Sequence, residues 1–379
     1  MGLTMVDKSA PCHLKQTIDA NMSPLISAVM FAAGVFGNVA ALVLLEIRRR
    51  RESGGAHRRS LFNVLVTSLV ATDLTGTCLV SPLVQMSYSF NTTLVAMTRE
   101  GSHVACAYFG FSMTFFSLAT MSILFFMALE RCLAIGHPYF YGRCVTKKCA
   151  YITLPSLFCL CALFCCLPFV GFGEYVQYCP GTWCFLDMNP QRPGHRAYAN
   201  LYASVMLALV LAIVACNGSV VFHLVKMYRR RRRNGGSVTA RFKRERGVVS
   251  LAEEVEHLIL LVFMTIIFII CTMPLVVRVY LNSYDKASES HPAELNALRF
   301  ISVNSIIDPW VFIFWSPSVL HFCWASACRR PLASPRASTL KSSTSEQRLR
   351  NVQLVVSQPP SADCSRCLGS EPTLCTMDV

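Results

Sequence analysis

Long apolar stretches alternate with short polar ones along most of the chain. Seven of them are long enough to cross a hydrocarbon core about 30 Å thick: Pro24–Ile47, Leu61–Tyr88, Val104–Gly136, Cys149–Gly173, Ala197–Tyr228, Glu254–Leu281 and Glu294–Trp315. Strands of an outer-membrane barrel would be about ten residues long and would alternate apolar with polar, so helices are predicted. The expected fold is an all-α membrane protein, a seven-helix bundle over residues 24–315 with a segment 1–23 before it. The first apolar run is a full span followed by basic residues and reads as a span, not as a cleaved leader. Neither internal repeats nor inverted halves are visible, which disfavours a transporter built from repeats.

Composition agrees: hydrophobic residues make up 53% of the 379 and charged ones 15%, too apolar for an ordinary soluble domain. The net charge of +14 is unevenly placed. Lys and Arg concentrate in the first, third and fifth loops, with the runs Arg48–Arg51 and Arg229–Arg233 abutting spans. By the positive-inside rule these loops are cytoplasmic and the N-terminus is extracellular. The basic runs are then expected to meet inner-leaflet lipid and a cytoplasmic partner, and no nucleic acid.

Three sequons occur. Asn21 precedes the first span, Asn91 lies in the first outer loop, and Asn217 is inside the fifth span, where it should stay unmodified. Of nineteen cysteines most lie in spans and act as small apolar residues. Cys12, Cys106, Cys179 and Cys184 fall on the oxidising side. Four cysteines allow three pairings, and the residues alone do not choose among them.

The loop Arg229–Ser250 is basic and glycine-containing and reads as mobile. Ser316–Cys328 carries Leu320, Phe322 and Trp324 and reads as a short interfacial helix, with Cys323 and Cys328 as lipidation candidates. The tail 329–379 is rich in Ser, Thr, Pro and Arg and reads as disordered. Its hydroxyl cluster at Ser338, Thr339, Ser342, Ser343, Thr344 and Ser345 is either a phosphorylation site or a plain solvated stretch.

Charges inside spans carry most of the chemistry. Arg299 sits in the seventh span with no acid within a helical turn. A cation there costs about 2.5–3.5 kcal/mol on the lenient insertion scale, so it needs an anion or must snorkel to the headgroups. Asp73 lies mid-span in the second helix, Glu130-Arg131 ends the third, and Asp308-Pro309 lies deep in the seventh.

With Asn38 after Gly37 in the first span, these residues resemble the polar positions of rhodopsin-like G-protein-coupled receptors. Three runs narrow the resemblance to the prostanoid receptors: Gln177–Phe185 in the second outer loop, Glu130–Pro138, and Leu298-Arg299-Phe300 followed by Asp308-Pro309-Trp310. Such receptors respond to oxygenated fatty acids bearing one carboxylate, at the plasma membrane.

The resemblance implies roles. Arg299 would hold the carboxylate through a guanidinium fork suited to two oxygens, with Tyr88 and Thr182 donating hydroxyls and Trp183 packing beside them. Ser27, Met30, Met113, Thr114, Leu298 and Ser302 would line the pocket for ring and chain; helix packing is the plain alternative for each. Cys106 would pair with Cys184, and Cys12 with Cys179. Asp73, Glu130, Arg131, Pro274, Asp308 and Pro309 would serve activation and G-protein coupling, Pro274 by kinking the sixth helix. Receptor kinases and arrestin would engage the tail.

Departures from the general receptor pattern are shared with prostanoid receptors. Glu130-Arg131-Cys132 stands for Asp-Arg-Tyr, Cys271-Thr272-Met273-Pro274 lacks the usual tryptophan, and Asp308 replaces an asparagine. Within the group, Glu253–Leu261 and Met113–Met121 resemble the members that raise cAMP through the stimulatory G protein. Phe116–Met121 and Asn91–Ala96 favour prostaglandin E2 as ligand; Cys216–Val220 and Lys226–Arg229 favour prostacyclin, with prostaglandin D2 behind.

Other classes fit less well. No zinc motif, nucleophile elbow or P-loop occurs, so no enzyme, metal or cofactor is expected. The seventh span has no lysine for a retinal Schiff base, and the outer third helix has no acid for an amine. A prostanoid transporter remains the rival class, distinguished by uptake without a cAMP response.

Overall fold

A computed structural model describes residues 15–18, 23–52, 61–98, 103–145, 147–233, 240–284 and 291–315. The chain divides into two compact units, Met1–Trp324 and Ala325–Val379, and every described residue falls in the first. The interfacial helix with Cys323 and Cys328, the tail cluster, Cys12 and Asn21 all lie outside the described residues.

The helices are α1 (Leu25–Glu52), α2 (Leu61–Phe90), α3 (Val104–Gly136), α4 (Pro138–Cys144), α5 (Lys147–Cys166), α6 (Pro193–Arg233), α7 (Ala240–Tyr284) and α8 (His291–Trp315). Seven of the described helices, all but α4, are long and apolar enough to cross a membrane. The central helix is α3. It packs against α2, α5 and α6 and against both strands of the outer hairpin, β1 (Tyr175–Tyr178) and β2 (Trp183–Leu186). The outermost is α5, with Leu160 65% and Leu163 67% exposed. In water that would be a defect; toward lipid it is the expected face.

Hydrocarbon leaves no water to satisfy polar groups, so helix is the economical backbone there. Side-chain hydroxyls follow the same logic. Thr72, Thr75, Thr77, Thr114 and Thr265 each donate to the carbonyl four residues back, at 2.6–2.8 Å. Small residues set the close approaches. A Cβ on Gly76 would stand 2.9 Å from the Phe116 ring, and one on Gly37 would stand 2.8 Å from Trp310 Nε1. These contacts bring α2 against α3 and α1 against α8.

Two expectations need correction. Arg229–Ser250 is not one long loop, because α6 continues to Arg233 and α7 begins at Ala240. Arg, Lys and Glu are good helix formers, and extending a helix nucleated on a packed span costs little. The fourth span keeps its predicted place but is not one continuous α-helix: α5 stops at Cys166 and a 3-10 turn, Leu167–Val170, carries the span on. Pro168 falls inside that turn, and Gly171 closes it at a positive φ of 91°. Neither α4 nor the hairpin was expected. Pro138 at the first position of α4 is a helix-start signal that a helix of only seven residues makes easy to miss.

The hairpin pairs Tyr175 with Leu186 and Tyr178 with Trp183, antiparallel. Its turn holds Gly181 at φ +105°, where an added Cβ would approach Thr93 Cγ2 to 2.3 Å. Gly181→Ala is therefore expected to lower the melting temperature and surface expression, with strain of about 1–3 kcal/mol. Gly142→Ala, where nothing lies within 4 Å, is the matched control and should change neither. Equal behaviour of the two variants in a thermal-shift assay would show that the turn tolerates a side chain.

Candidate functional site: an outer cleft and an inner clamp

A cleft of about 880 Å³, its open mouth included, runs inward from the outer ends of α1, α2 and α8. Ser27 and Met30 of α1, Gln85 of α2, Met113 of α3, Trp183 of β2 and Ser302 of α8 border it. Its floor reaches Asp73, Thr120 and Asn304. Of the ten predicted ligand residues, five line this cleft: Ser27, Met30, Met113, Trp183 and Ser302.

The other five stand outside the wall. Thr114 is fully buried and donates to the Gly110 carbonyl, so it packs α3. Leu298 is fully buried in the core, and half-buried Tyr88 packs against that core. Thr182 is buried at the hairpin turn, and its hydroxyl has no partner. Arg299 is half-buried and makes no hydrogen bond or ion pair with any described residue. It precedes the cleft residues Ser302 and Ile306 by three and seven positions on α8. That spacing puts all three on one side of the helix, with the guanidinium at the outer level.

The roof is knitted from three chain segments. Lys15 carbonyl accepts from Thr93 Oγ1 at 2.7 Å and from Gln177 Nε2 at 3.0 Å. Gln177 Oε1 accepts the Val95 amide at 3.0 Å, and the Gly181 carbonyl accepts the Leu94 amide at 2.9 Å. Cys184 of β2 is disulfide-bonded to Cys106 of α3, with Cα atoms 5.3 Å apart, as expected. Cys179 is disulfide-bonded as well, while Cys12 lies outside the described residues. Tyr178 is buried; its hydroxyl donates to the Leu186 carbonyl and accepts the Met188 amide. Burial, then the nearby Asp187 and Glu294, pushes its phenol well above the ordinary range, so it stays neutral. Exposed Asn91 sits at the edge of this roof, whereas Thr93 of its sequon is buried.

Below the floor, polar groups join the helices. Asp73 accepts from Thr120 Oγ1 at 2.9 Å, and Asn38 Nδ2 donates to the Ser305 carbonyl at 2.9 Å. Asp308 is buried, and neither of its carboxyl oxygens has a hydrogen-bond partner. Asn217 is buried and donates to Thr265 at 2.7 Å, in keeping with an unmodified sequon.

At the inner end Arg131 and Glu130 form a buried ion pair, and Tyr141 of α4 donates to the same carboxylate. The Arg131 guanidinium also lies 4.8 Å from the centre of the Phe62 ring. Phe62 in turn packs on His257 of α7, ring centres 4.4 Å apart. Phe62, Tyr141 and His257 were missed from sequence because each reads as ordinary in isolation. Gln85, one turn before Tyr88, and Asn304, one turn before Asp308, could have been found by following polar residues along helical spacing.

Comparison with known proteins agrees with the bundle and with the resemblance. The profile of the 7 transmembrane receptor (rhodopsin family) matches residues 37–312. The rat prostaglandin E2 receptor EP2 subtype is 49% identical over 346 residues, covering 88% of this chain and 94% of its own. The human prostacyclin receptor is 43% identical over 310 residues, covering 82% and 77%. Squid rhodopsin has the same fold, with a TM-score of 0.67 at 14% identity over 89% of this chain and 91% of its own.

The unpartnered Thr182 hydroxyl gives a direct test of the roof. Thr182→Val keeps the shape and removes a buried, unsatisfied group, so the ligand-free protein should melt at the same or a higher temperature. A drop of several degrees would mean that the hydroxyl is already bonded without ligand.

Proposed function

The chain belongs to the prostanoid receptors of the rhodopsin family of seven-transmembrane receptors, and from that membership we propose that it is the receptor for prostaglandin E2 and activates the stimulatory G protein to raise cAMP. It is a receptor, not an enzyme. One observation carries the ligand assignment: a permanent cation, Arg299, is half-buried at the outer level with no counter-charge among the described residues. The cleft below it is mostly apolar, as a fatty-acid ring and chain require.

In this reading the ligand carboxylate supplies the missing anion. The guanidinium donates two parallel hydrogen bonds, and the unpartnered Thr182 hydroxyl and the phenol of Tyr88 add to them. Trp183, Met113 and Ser302 meet the ring and chain, and Ser27 and Met30 close the side toward α1. Thr114 and Leu298 act by holding α3 and α8 in place. Prostacyclin is the second candidate, since the prostacyclin receptors match nearly as well. Prostaglandin D2 is the third.

Activation would use the inner clamp. An outward swing of the inner half of α7 about Pro274 separates His257 from Phe62 and uncovers Arg131 for the G protein. Asp73 at the cleft floor, and Asp308 and Pro309 between cleft and clamp, would pass the change inward. Receptor kinases and arrestin at the tail, glycans on Asn21 and Asn91, and acylation of Cys323 and Cys328 complete the proposal.

Two outcomes test it. Arg299→Ala should weaken free-acid ligands by a charge-assisted bond, about 1.5–3 kcal/mol, or roughly 10- to 150-fold in Kd. Methyl esters should lose much less, so equal losses in radioligand competition would make Arg299 structural. Phe62→Ala should raise ligand-free cAMP, because the Arg131 guanidinium loses its aromatic platform and α7 its contact through His257. Unchanged basal cAMP at matched surface expression would remove the clamp from the activation mechanism.

A further inference from the structure

Two exposed cysteines lie close together where the membrane domain meets its inner boundary, and nothing above uses them. Cys144 is the last residue of α4, and Cys149 opens the membrane span Cys149–Val170, which α5 begins and the following 3-10 turn completes. Both are exposed, and Cys149 Sγ lies 3.5 Å from the Cys144 carbonyl oxygen. We propose that Cys149, with Cys144 as its neighbour, is an S-acylation site that takes a long saturated fatty acyl chain.

Three features together point to a fatty acid. The first is position. The Glu130–Arg131 end of α3 and the His257 end of α7 lie at the same level, opposite the disulfide-bearing roof. In the orientation proposed above, this places the two cysteines on the reducing cytoplasmic side, where disulfides are rare.

The second feature is the surface beyond Cys149. Exposed residues follow it along one face of α5 at helical spacing: Ile152, Ser156, Cys159, Leu160 and Leu163. Ser156 is no polar interruption, since its hydroxyl donates to the Ile152 carbonyl at 2.8 Å. From Cys149 to Leu163 this face runs about 21 Å at 1.5 Å per residue, comparable to an extended long acyl chain. A chain joined to Cys149 would lie along it, anchored inside and pointing to the bilayer centre.

The third feature is the flank. None of the residues of α4 is buried, and its Tyr139 and Phe140 are 82% and 52% exposed. Aromatic side chains of this kind favour the membrane–water boundary. In sequence, Arg143 adjoins Cys144, and Lys147 and Lys148 stand between the two cysteines; basic residues of this kind favour an anionic inner leaflet.

The chemistry is a thioester exchange. The Cys149 thiolate attacks the carbonyl carbon of a fatty acyl-coenzyme A. The carbon–sulfur bond to coenzyme A breaks, its thiolate takes up the proton that Cys149 released, and a new protein thioester remains. No oxidant or reductant is consumed. The chain would pin α4 to the inner leaflet, and α4 carries Tyr141, which donates to Glu130 beside Arg131.

The test uses the full-length receptor in cells fed an alkyne analogue of palmitate, with Cys323→Ser and Cys328→Ser introduced to remove the tail candidates. Label should persist in that background, be released by neutral hydroxylamine, and be lost on adding Cys149→Ser. Mass spectrometry of the otherwise unmodified protein should find the acyl group on the peptide containing Cys149. No label in the tail-deficient background, label retained by Cys149→Ser, an acyl group on Cys144 alone, or a Cys144–Cys149 disulfide would each overturn the assignment. Prostanoid-stimulated cAMP is measured alongside: an intact response without acylation rejects this site and leaves the receptor assignment standing.

Discussion

A charge in hydrocarbon that the protein does not neutralise is the constraint around which the outer half of this molecule is arranged. Many polar groups elsewhere in the bundle are satisfied locally, Asp308 being an exception. Threonines bond back to their own helices, Asn38 bridges α1 to α8, and Asn217 reaches Thr265 across α6 and α7. Arg299 is treated differently. It sits half-buried on α8 above an apolar cleft, near a hairpin whose Thr182 hydroxyl is also unpartnered. Leaving such groups unsatisfied destabilises the empty protein by several kcal/mol in total. In the proposed receptor an acidic ligand would meet that demand, and binding and stability would be coupled at the same atoms.

The opposite end solves a similar problem with internal partners. Arg131 is buried, yet it has the Glu130 carboxylate and the Phe62 ring. The ring links the cation to His257, so one contact between α3 and α7 runs through an aromatic group. Such a contact is short-ranged and weak, about 0.5–2 kcal/mol. A latch of that size is suited to being opened by the differential affinity of one ligand.

Much of this was legible in the sequence because hydropathy and membrane thickness leave few choices. All seven spans, the Cys106–Cys184 disulfide and the intramembrane charges appear where the residues and the family resemblance put them. The site was half legible. Ser27, Met30, Met113, Trp183 and Ser302 line the cleft, whereas Thr114 and Leu298 share its level and face into helix packing. Helical phase separates these cases, and a one-residue difference in facing is below what a single sequence resolves. The hairpin and α4 were not legible, because strands of four residues and a helix of seven leave too short a pattern. Phe62 and His257 come together only through tertiary packing of α2 against α7.

The roof has a consequence for how a ligand experiences this protein. Backbone and side-chain hydrogen bonds stitch residue 15, the loop at Thr93–Val95 and the hairpin at Gln177 and Gly181 into one sheetlike cover. In the proposed receptor, a ligand that came through this cover from water would have to break several of those bonds, whereas one that came from the outer leaflet would not. Occupancy would then follow the amount of ligand partitioned into lipid, and a more lipophilic acid would appear more potent without making a single better contact.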